Sequence, residues 1–267
     1  MRKEKASMSD YLNEFYTHHC DEDKRLAFRH SQIEFITTVR YIEKYLKTGN
    51  KIIEIGAGTG AYSHYFAQKG YVVDSVELVE HNIDIFKSKI SPDEKITITQ
   101  GNALDLSEFP DSTYDITLLL GPMYHLYTAE EQLKAMSEAI RVTKKSGIIF
   151  AAYCGNDATI IQFALLKGQI VEEPYAHLID ESFKCTSTPE EIFQLHRKED
   201  IDMLMSNFNV KRLNFIGTDM ISHYFRNQIN EMTEDVYKKY LDYHMYICER
   251  ADMIGMSNHF LDVFRKQ

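Results

Sequence analysis

The chain of 267 residues has no tryptophan, only 5 prolines and 4 cysteines, and 30 basic residues against 40 acidic ones. Each shortage excludes something. Cys20, Cys154, Cys185 and Cys248 are widely scattered with no C-x-x-C spacing, so reduced thiols are expected, with neither disulfides nor a metal site. The run His18-His19-Cys20 does not change this, because adjacent residues on a helix point in different directions. No apolar stretch approaches the length of a membrane span, and the start Met1-Arg-Lys-Glu-Lys-Ala-Ser has no apolar leader core, so a cytoplasmic protein away from membranes is expected. The formal net charge is −10. The short basic groups (Lys24-Arg25, Lys144-Lys145, Lys211-Arg212, Lys238-Lys239) are dispersed among acids and read as solvated faces and helix ends. An enzyme gripping nucleic acid would present a basic patch to phosphates, so the expected partner is a small molecule. There is no internal repeat, low-complexity tract or flexible linker, and the length suits one domain with an appended cap.

What is present is concentrated in residues 51–60, Lys-Ile-Ile-Glu-Ile-Gly-Ala-Gly-Thr-Gly. Ile52, Ile53 and Ile55 are β-branched and suit a strand buried on both faces of a parallel sheet. Gly56, Gly58 and Gly60 supply unusual dihedrals and bare backbone, and a helix starting near Thr59 would point its N-terminal amides at a ligand. Glu54 can accept hydrogen bonds from a cationic or hydroxyl-bearing group. A nucleoside-containing cofactor is therefore expected. Gly56-Ala-Gly58-Thr-Gly60-Ala61 also satisfies the looser dinucleotide pattern, so the turn alone leaves a nicotinamide or flavin open.

The next segments add strand ends. Residues 71–78 form a second strand ending in Glu77, about 20 residues past the glycines, where a carboxylate meets ribose hydroxyls. A third strand, 95–100, runs into Gly101-Asn102-Ala103-Leu104-Asp105. A fourth, 114–120, runs into Gly121-Pro122-Met123-Tyr124-His125-Leu126. A fifth, 147–153, follows a helix with a basic end at Arg141, Lys144 and Lys145. Loops at consecutive strand ends fall along one edge of the sheet, where open α/β sheets bind ligands.

On these residues the chain resembles the class I S-adenosylmethionine-dependent methyltransferases, well over residues 30–153 and more weakly at closing strands near 208–217 and 258–265. The family's first motif, an acid followed by G-x-G-x-G, is matched by Glu54, Gly56, Gly58 and Gly60; its ribose-binding acid by Glu77. Its adenine-edge Gly-Asp-Ala is Gly101-Asn102-Ala103 here, where the Asn102 carbonyl could accept from the adenine amino group. The run 118–126 is similar to a bacterial small-molecule-type subgroup. The resemblance implies a Rossmann-like α/β fold: a seven-stranded, mostly parallel sheet with helices on both faces, an antiparallel last strand and a helical cap. It implies S-adenosylmethionine held by Glu54, Gly56, Ala57, Gly58, Gly60, Glu77, Leu78, Asn102, Ala103 and Leu120. The dinucleotide reading accounts for the first two motifs but not the later ones. Methyltransferases acting on planar amide or nucleobase amino groups often carry Asn-Pro-Pro-Tyr or Asp-Pro-Pro-Tyr at the fourth strand end; Gly121-Pro122-Met123-Tyr124 lacks that polar side chain.

The expected organisation is a single methyltransferase domain, 1–267, with cap segments 1–30, 155–195 and 218–255 building the acceptor pocket. The first holds a helix near 8–20 with Tyr11, Phe15 and Tyr16 on one side; a second helix near 31–47 packs on the sheet. Thr188-Pro189-Glu190-Glu191 reads as a helix start. The 17 tyrosines and 15 phenylalanines could line such a pocket, though most rings are ordinary core. The acceptor is expected to be a small-molecule oxygen or nitrogen nucleophile. His125 is the candidate base for a hydroxyl, Tyr124 lines the same wall, and Tyr11 and Tyr16 could close over the cofactor. A nicotinamide-type oxidoreductase and a cofactor-binding protein without transfer activity are the alternatives, and the oligomeric state, monomer or homodimer, is open.

Overall fold

The computed structural model describes residues 8–173 and 175–267. Residues 1–7, which begin the first cap segment, and Pro174 of the second segment lie outside the described residues. The chain enters through α1 (Met8–Glu14), a π-helical turn (Phe15–His19) and α2 (Arg29–Glu43). Alternation then begins: β1 (Lys51–Ile55), α3 (Ala61–Gln68), β2 (Val72–Glu77), α4 (Glu80–Ser88), β3 (Ile96–Gln100), β4 (Tyr114–Leu119), α5 (Ala129–Val142) and β5 (Thr143–Gly155). After β5 come α6 (Asn156–Thr159), α7 (Tyr175–Leu178), β6 (Leu195–His196), α8 (Lys198–Met205) and β7 (Val210–Gly217). The chain closes with α9 (Arg226–Asn230), α10 (Glu234–Ile247) and β8 (His259–Lys266).

The sheet order is β3-β2-β1-β4-β5-β8-β7, with β8 antiparallel to both neighbours and the other strands parallel. The expected seven-stranded α/β sheet with its antiparallel last strand is there, and β6 is an eighth, two-residue addition. Strand alternation divides the core into two layers. Ile53 and Ile55 pack with Ala135, Met136 and Ala139 of α5 and Ile201 of α8 on one face. Ile52, Ile116, Leu118 and Phe150 pack with Ile42 of α2, Phe66 of α3 and Ile247 near the end of α10 on the other. Among the described residues no helix is long and apolar enough to cross a membrane.

Three local expectations need correction. Pro189–Glu191 is a single 3₁₀ turn, not a helix start, because Ile192 follows at φ 68° and breaks the helical path. The helix before β5 ends at Val142, so of its expected basic end only Arg141 belongs to it; Lys144 lies in β5 and pairs with Asp115. The helix read over 8–20 is α1 followed by the π turn, its backbone turning at Cys20.

Strand β6 positions the site. It pairs with Cys154 and Gly155 of β5, beyond the point where β4 ends at Leu119 opposite Ala151. The chain at 192–196 therefore lies over the loop that leaves β4, and the Gln194 amide donates to the Tyr124 carbonyl at 2.6 Å.

Candidate functional site

The turn after β1 is held by its neighbour strand. The amides of Gly56 and Ala57 both donate to the Val76 carbonyl, at 2.8 and 3.0 Å. Gly56 sits at φ 77°, and a Cβ there would come within 2.5 Å of Pro122 Cδ, so only glycine lets the first and fourth strand ends approach. Glu77 then locks the turn: its carboxylate accepts from the Gly58 amide (2.8 Å) and, through its other oxygen, from the Val79 amide (2.9 Å). Burial raises its pKa, opposed by those two amide donors.

Every residue expected at the cofactor except Gly60 lines one cavity of about 280 Å³. Gly60 has a different task. At φ 90° its missing Cβ leaves room for the Phe86 ring, 2.5 Å from where that atom would stand, which lets α3 approach α4. Glu54 reaches the cavity wall but is buried, accepts from the Ser63 hydroxyl, and has its pKa pushed up to about 8 by burial. It is therefore mostly protonated at neutral pH, a donor as much as an acceptor. The Asn102 carbonyl accepts from the Leu104 amide at 3.0 Å, which stiffens its own turn. Asn102 is among the residues lining the cavity. Leu78, Ala103 and Leu120 supply apolar wall.

The same cavity is lined by Tyr16, Tyr124, His125, Phe193 and His259. His125 Nδ1 lies 2.8 Å from the Ile192 carbonyl, which can only accept, so that nitrogen carries the proton. Nε2, bare in this tautomer, takes the Tyr16 hydroxyl at 3.0 Å. Burial lowers the His125 pKa to about 4. The Ile192 carbonyl also accepts from Tyr127 at 2.6 Å, and two donors on it hold a β-branched residue in the left-handed region. Tyr124 lies beside His125 and His259, with ring centroids 6.1 and 5.9 Å away. Tyr11 is elsewhere: it is not among the cavity residues, and its hydroxyl donates to Glu190 at 3.0 Å.

A roof comes from the segment between the π turn and α2, which periodicity did not single out. Asp23 pairs with Lys89, whose ammonium also donates to the Thr59 carbonyl at 3.1 Å. Arg25 bridges Glu22 (2.8 Å) and Glu34 (2.6 Å). Glu22 stands over the glycine turn, its Cγ 3.5 Å from where a Gly58 Cβ would be. Phe193, His259, Arg25 and Glu22 were not expected at the site. The only signal for Phe193 was its place in the 155–195 segment, and for His259 its place at the head of the last strand.

A family model described as a methyltransferase domain matches residues 53–151. Bacillus subtilis YqeM is 24% identical over 110 residues, 41% of this chain and 44% of that protein. The demethylmenaquinone methyltransferase of Clavibacter sepedonicus is 24% identical over 150 residues, 56% of this chain and 58% of that one. The matches thus span about half the length of these curated relatives. Residues 53–151 of the chain thus match a methyltransferase domain. The chain's fold is also that of the magnesium protoporphyrin IX methyltransferase of Synechocystis PCC 6803, solved with S-adenosylhomocysteine. That structure has a TM-score of 0.59 and 10% identity, covering 98% of this chain and 100% of that one. The cofactor that this match implies is S-adenosylmethionine. The site's chemistry fits it: a side-chain-free turn, a buried carboxylate and an apolar wall meet in one cleft.

Proposed function

We propose that the protein transfers a methyl group from S-adenosylmethionine to a nitrogen or oxygen nucleophile of a small molecule. The supporting observation is that the strand-end turns of β1 to β4 and the side chains of Tyr16, Tyr124, His125 and Phe193 share one cavity. A donor and an acceptor can therefore meet in it. The net charge of −10 speaks for a small acceptor over nucleic acid. The described residues 8–30 and Phe193 of the 155–195 segment serve as its cap within a single domain; none of the described residues 218–255, expected as a third cap segment, lines the cavity.

In this reading the Gly56–Gly58 backbone and protonated Glu54 face the amino-acid portion of the cofactor. Glu77, with lone pairs left after its two amide bonds, takes the ribose hydroxyls. Asn102 offers its amide hydrogens to a ring nitrogen at the adenine edge, between Leu78, Ala103 and Leu120. When bound, the cofactor supplies a sulfonium methyl open to in-line displacement. The protein's own work is then to position the acceptor and exclude water, worth roughly 7–11 kcal/mol in favourable cases. Tyr124 and Phe193 wall the acceptor side, and Tyr16 closes it from above.

His125 orients Tyr16 and is a poor base. Its pKa of about 4 and its two occupied nitrogens leave little capacity to take a proton at neutral pH. An amine acceptor, which reacts through its lone pair, needs no such base; a hydroxyl acceptor needs one beyond His125. Screening a metabolite library for S-adenosylhomocysteine release tests the proposal. Release with at least one small amine or hydroxyl compound is expected. Cofactor binding without release for any acceptor class would instead mark a binding protein without transfer activity.

A further inference from the structure

Behind the Tyr124 wall lies a group of side chains that the methyl-transfer reading does not use. Asp219 and His223 follow β7, and His259 opens β8. Asp219 Oδ2 is 2.7 Å from His259 Nδ1 and 3.4 Å from His223 Nε2, and the three ligating atoms lie within 4.8 Å of one another. Among the described residues this is the one group of histidine, cysteine and carboxylate side chains with such spacing.

Two observations separate it from an ordinary buried ion pair. Asp219 is fully buried, and its other oxygen is fixed by the Ser257 hydroxyl (2.7 Å) and the Asn258 amide (2.8 Å). Oδ2 is thus aimed at the two imidazoles by an outer layer of donors, the arrangement that orients a metal-ligating carboxylate. The second is an excess of polar atoms without partners. His223 Nε2 makes no hydrogen bond, and neither does the buried Ser222 hydroxyl next to it. His30 packs edge-on against His223 at 5.3 Å and gives its Nδ1 to Asn230.

We propose that Asp219, His223 and His259 form a binding site for a divalent transition-metal ion at the wall of the cavity. Two imidazoles and one carboxylate make a donor set that suits zinc and its neighbours. Ligand bonds of about 2.0–2.2 Å put tetrahedral ligand atoms about 3.3 Å apart, so the observed spacings need only small side-chain adjustments. Glu34 Oε2, whose charge is shared with Arg25, lies 3.6 Å from His259 Nδ1 at the edge of the group. Three protein ligands leave a coordination position open. His259 is the ligand that also lines the cavity, beside Tyr124. On the methyltransferase reading, and only on it, the ion would bind a hydroxyl acceptor and favour loss of its proton to solvent, the function His125 cannot serve.

The test is a zinc titration of the full-length protein by calorimetry, with bound metal counted by elemental analysis after dialysis. One equivalent is expected. His223→Ala, at a partly accessible position, should weaken zinc binding at least about 100-fold while thermal melting and S-adenosylhomocysteine affinity stay unchanged. The surface trio Glu14, His18 and His19 is the control, because its imidazoles also lie near a carboxylate. The double variant His18→Ala/His19→Ala should retain the equivalent. No stoichiometric zinc, undiminished binding in His223→Ala, or loss of binding in the His18/His19 variant would each overturn the site. Zinc binding without any cofactor binding would leave the site standing and remove the methyltransferase reading instead.

Discussion

The two sides of the cavity are built on different plans. The cofactor side is made from short contiguous pieces: 54–60, 77–79, 101–103 and 120–122, each the end of one strand and the loop after it. Its key bonds span about 20 residues or fewer, as with Gly58 to Glu77. The acceptor side is assembled from single residues far apart in the chain. Tyr16 meets His125 across 109 positions, His125 meets Ile192 across 67, and Asp219 meets His259 across 40. The first plan is rigid because adjacent parallel strands enforce it; the second depends on how cap segments settle, and it is the side free to differ with the acceptor.

The comparison breaks first at the glycines, where the largest effects are expected. Gly60→Ala should destabilise the fold by on the order of 3 kcal/mol in urea denaturation, combining a positive φ with the Phe86 clash. Gly58→Ala, at φ 54°, meets only Glu22 Cγ at an ordinary contact distance of 3.5 Å and should lose less stability while weakening S-adenosylhomocysteine binding. Equal stability losses in the two variants would remove the distinction between a packing glycine and a cofactor glycine. Glu77→Ala comes next. It strands two buried amides and removes the ribose acceptor, so calorimetric cofactor affinity should fall on the order of 100-fold.

The acceptor side should respond separately. Tyr16→Phe keeps the ring and removes the hydroxyl bonded to His125. With any acceptor that turns over, kcat should fall roughly tenfold while cofactor affinity stays within about twofold. A matching loss of cofactor affinity would merge the two sides into one. The pH dependence gives a subtler separation. The Glu54 pKa is raised to about 8 in the folded state, so the folded protein holds that proton more tightly and stability falls as pH rises from the ordinary carboxylate range through about 8. His125, lowered to about 4, works in the other direction: its contribution is lost as pH falls from about 6.5 through 4. Glu54→Gln should flatten the alkaline decline in melting temperature and leave the acid decline intact. The smallest effect is expected from Asn102→Ala, a loss of about three- to tenfold in cofactor affinity.

The same contrast explains what could be read from the chain. The strands around β1, the glycine turn and Glu77 were legible because β-branched runs, glycines and a carboxylate at fixed spacing are local properties. The task of Gly60 was not, since it depends on Phe86 arriving from α4. Thr188-Pro189-Glu190-Glu191 carried good helix-start residues, yet the chain turns at Ile192 so that its carbonyl can meet His125 and Tyr127; tertiary contacts overrode the local signal. Tyr16 was visible as a candidate and Tyr11, equally plausible by spacing, points to Glu190 instead. Nothing in sequence spacing joins Asp219 and His223 to His259, because α9 and α10 intervene before β8 returns antiparallel between β5 and β7.

The central claim is that the cleft at the ends of β1 to β4 holds S-adenosylmethionine. Calorimetric titration with S-adenosylhomocysteine, run beside NADH, tests it most directly. Saturable one-to-one binding of the thioether nucleoside, weakened on the order of 100-fold by Glu77→Ala, is the predicted result. Binding of NADH with no heat from S-adenosylhomocysteine would contradict it.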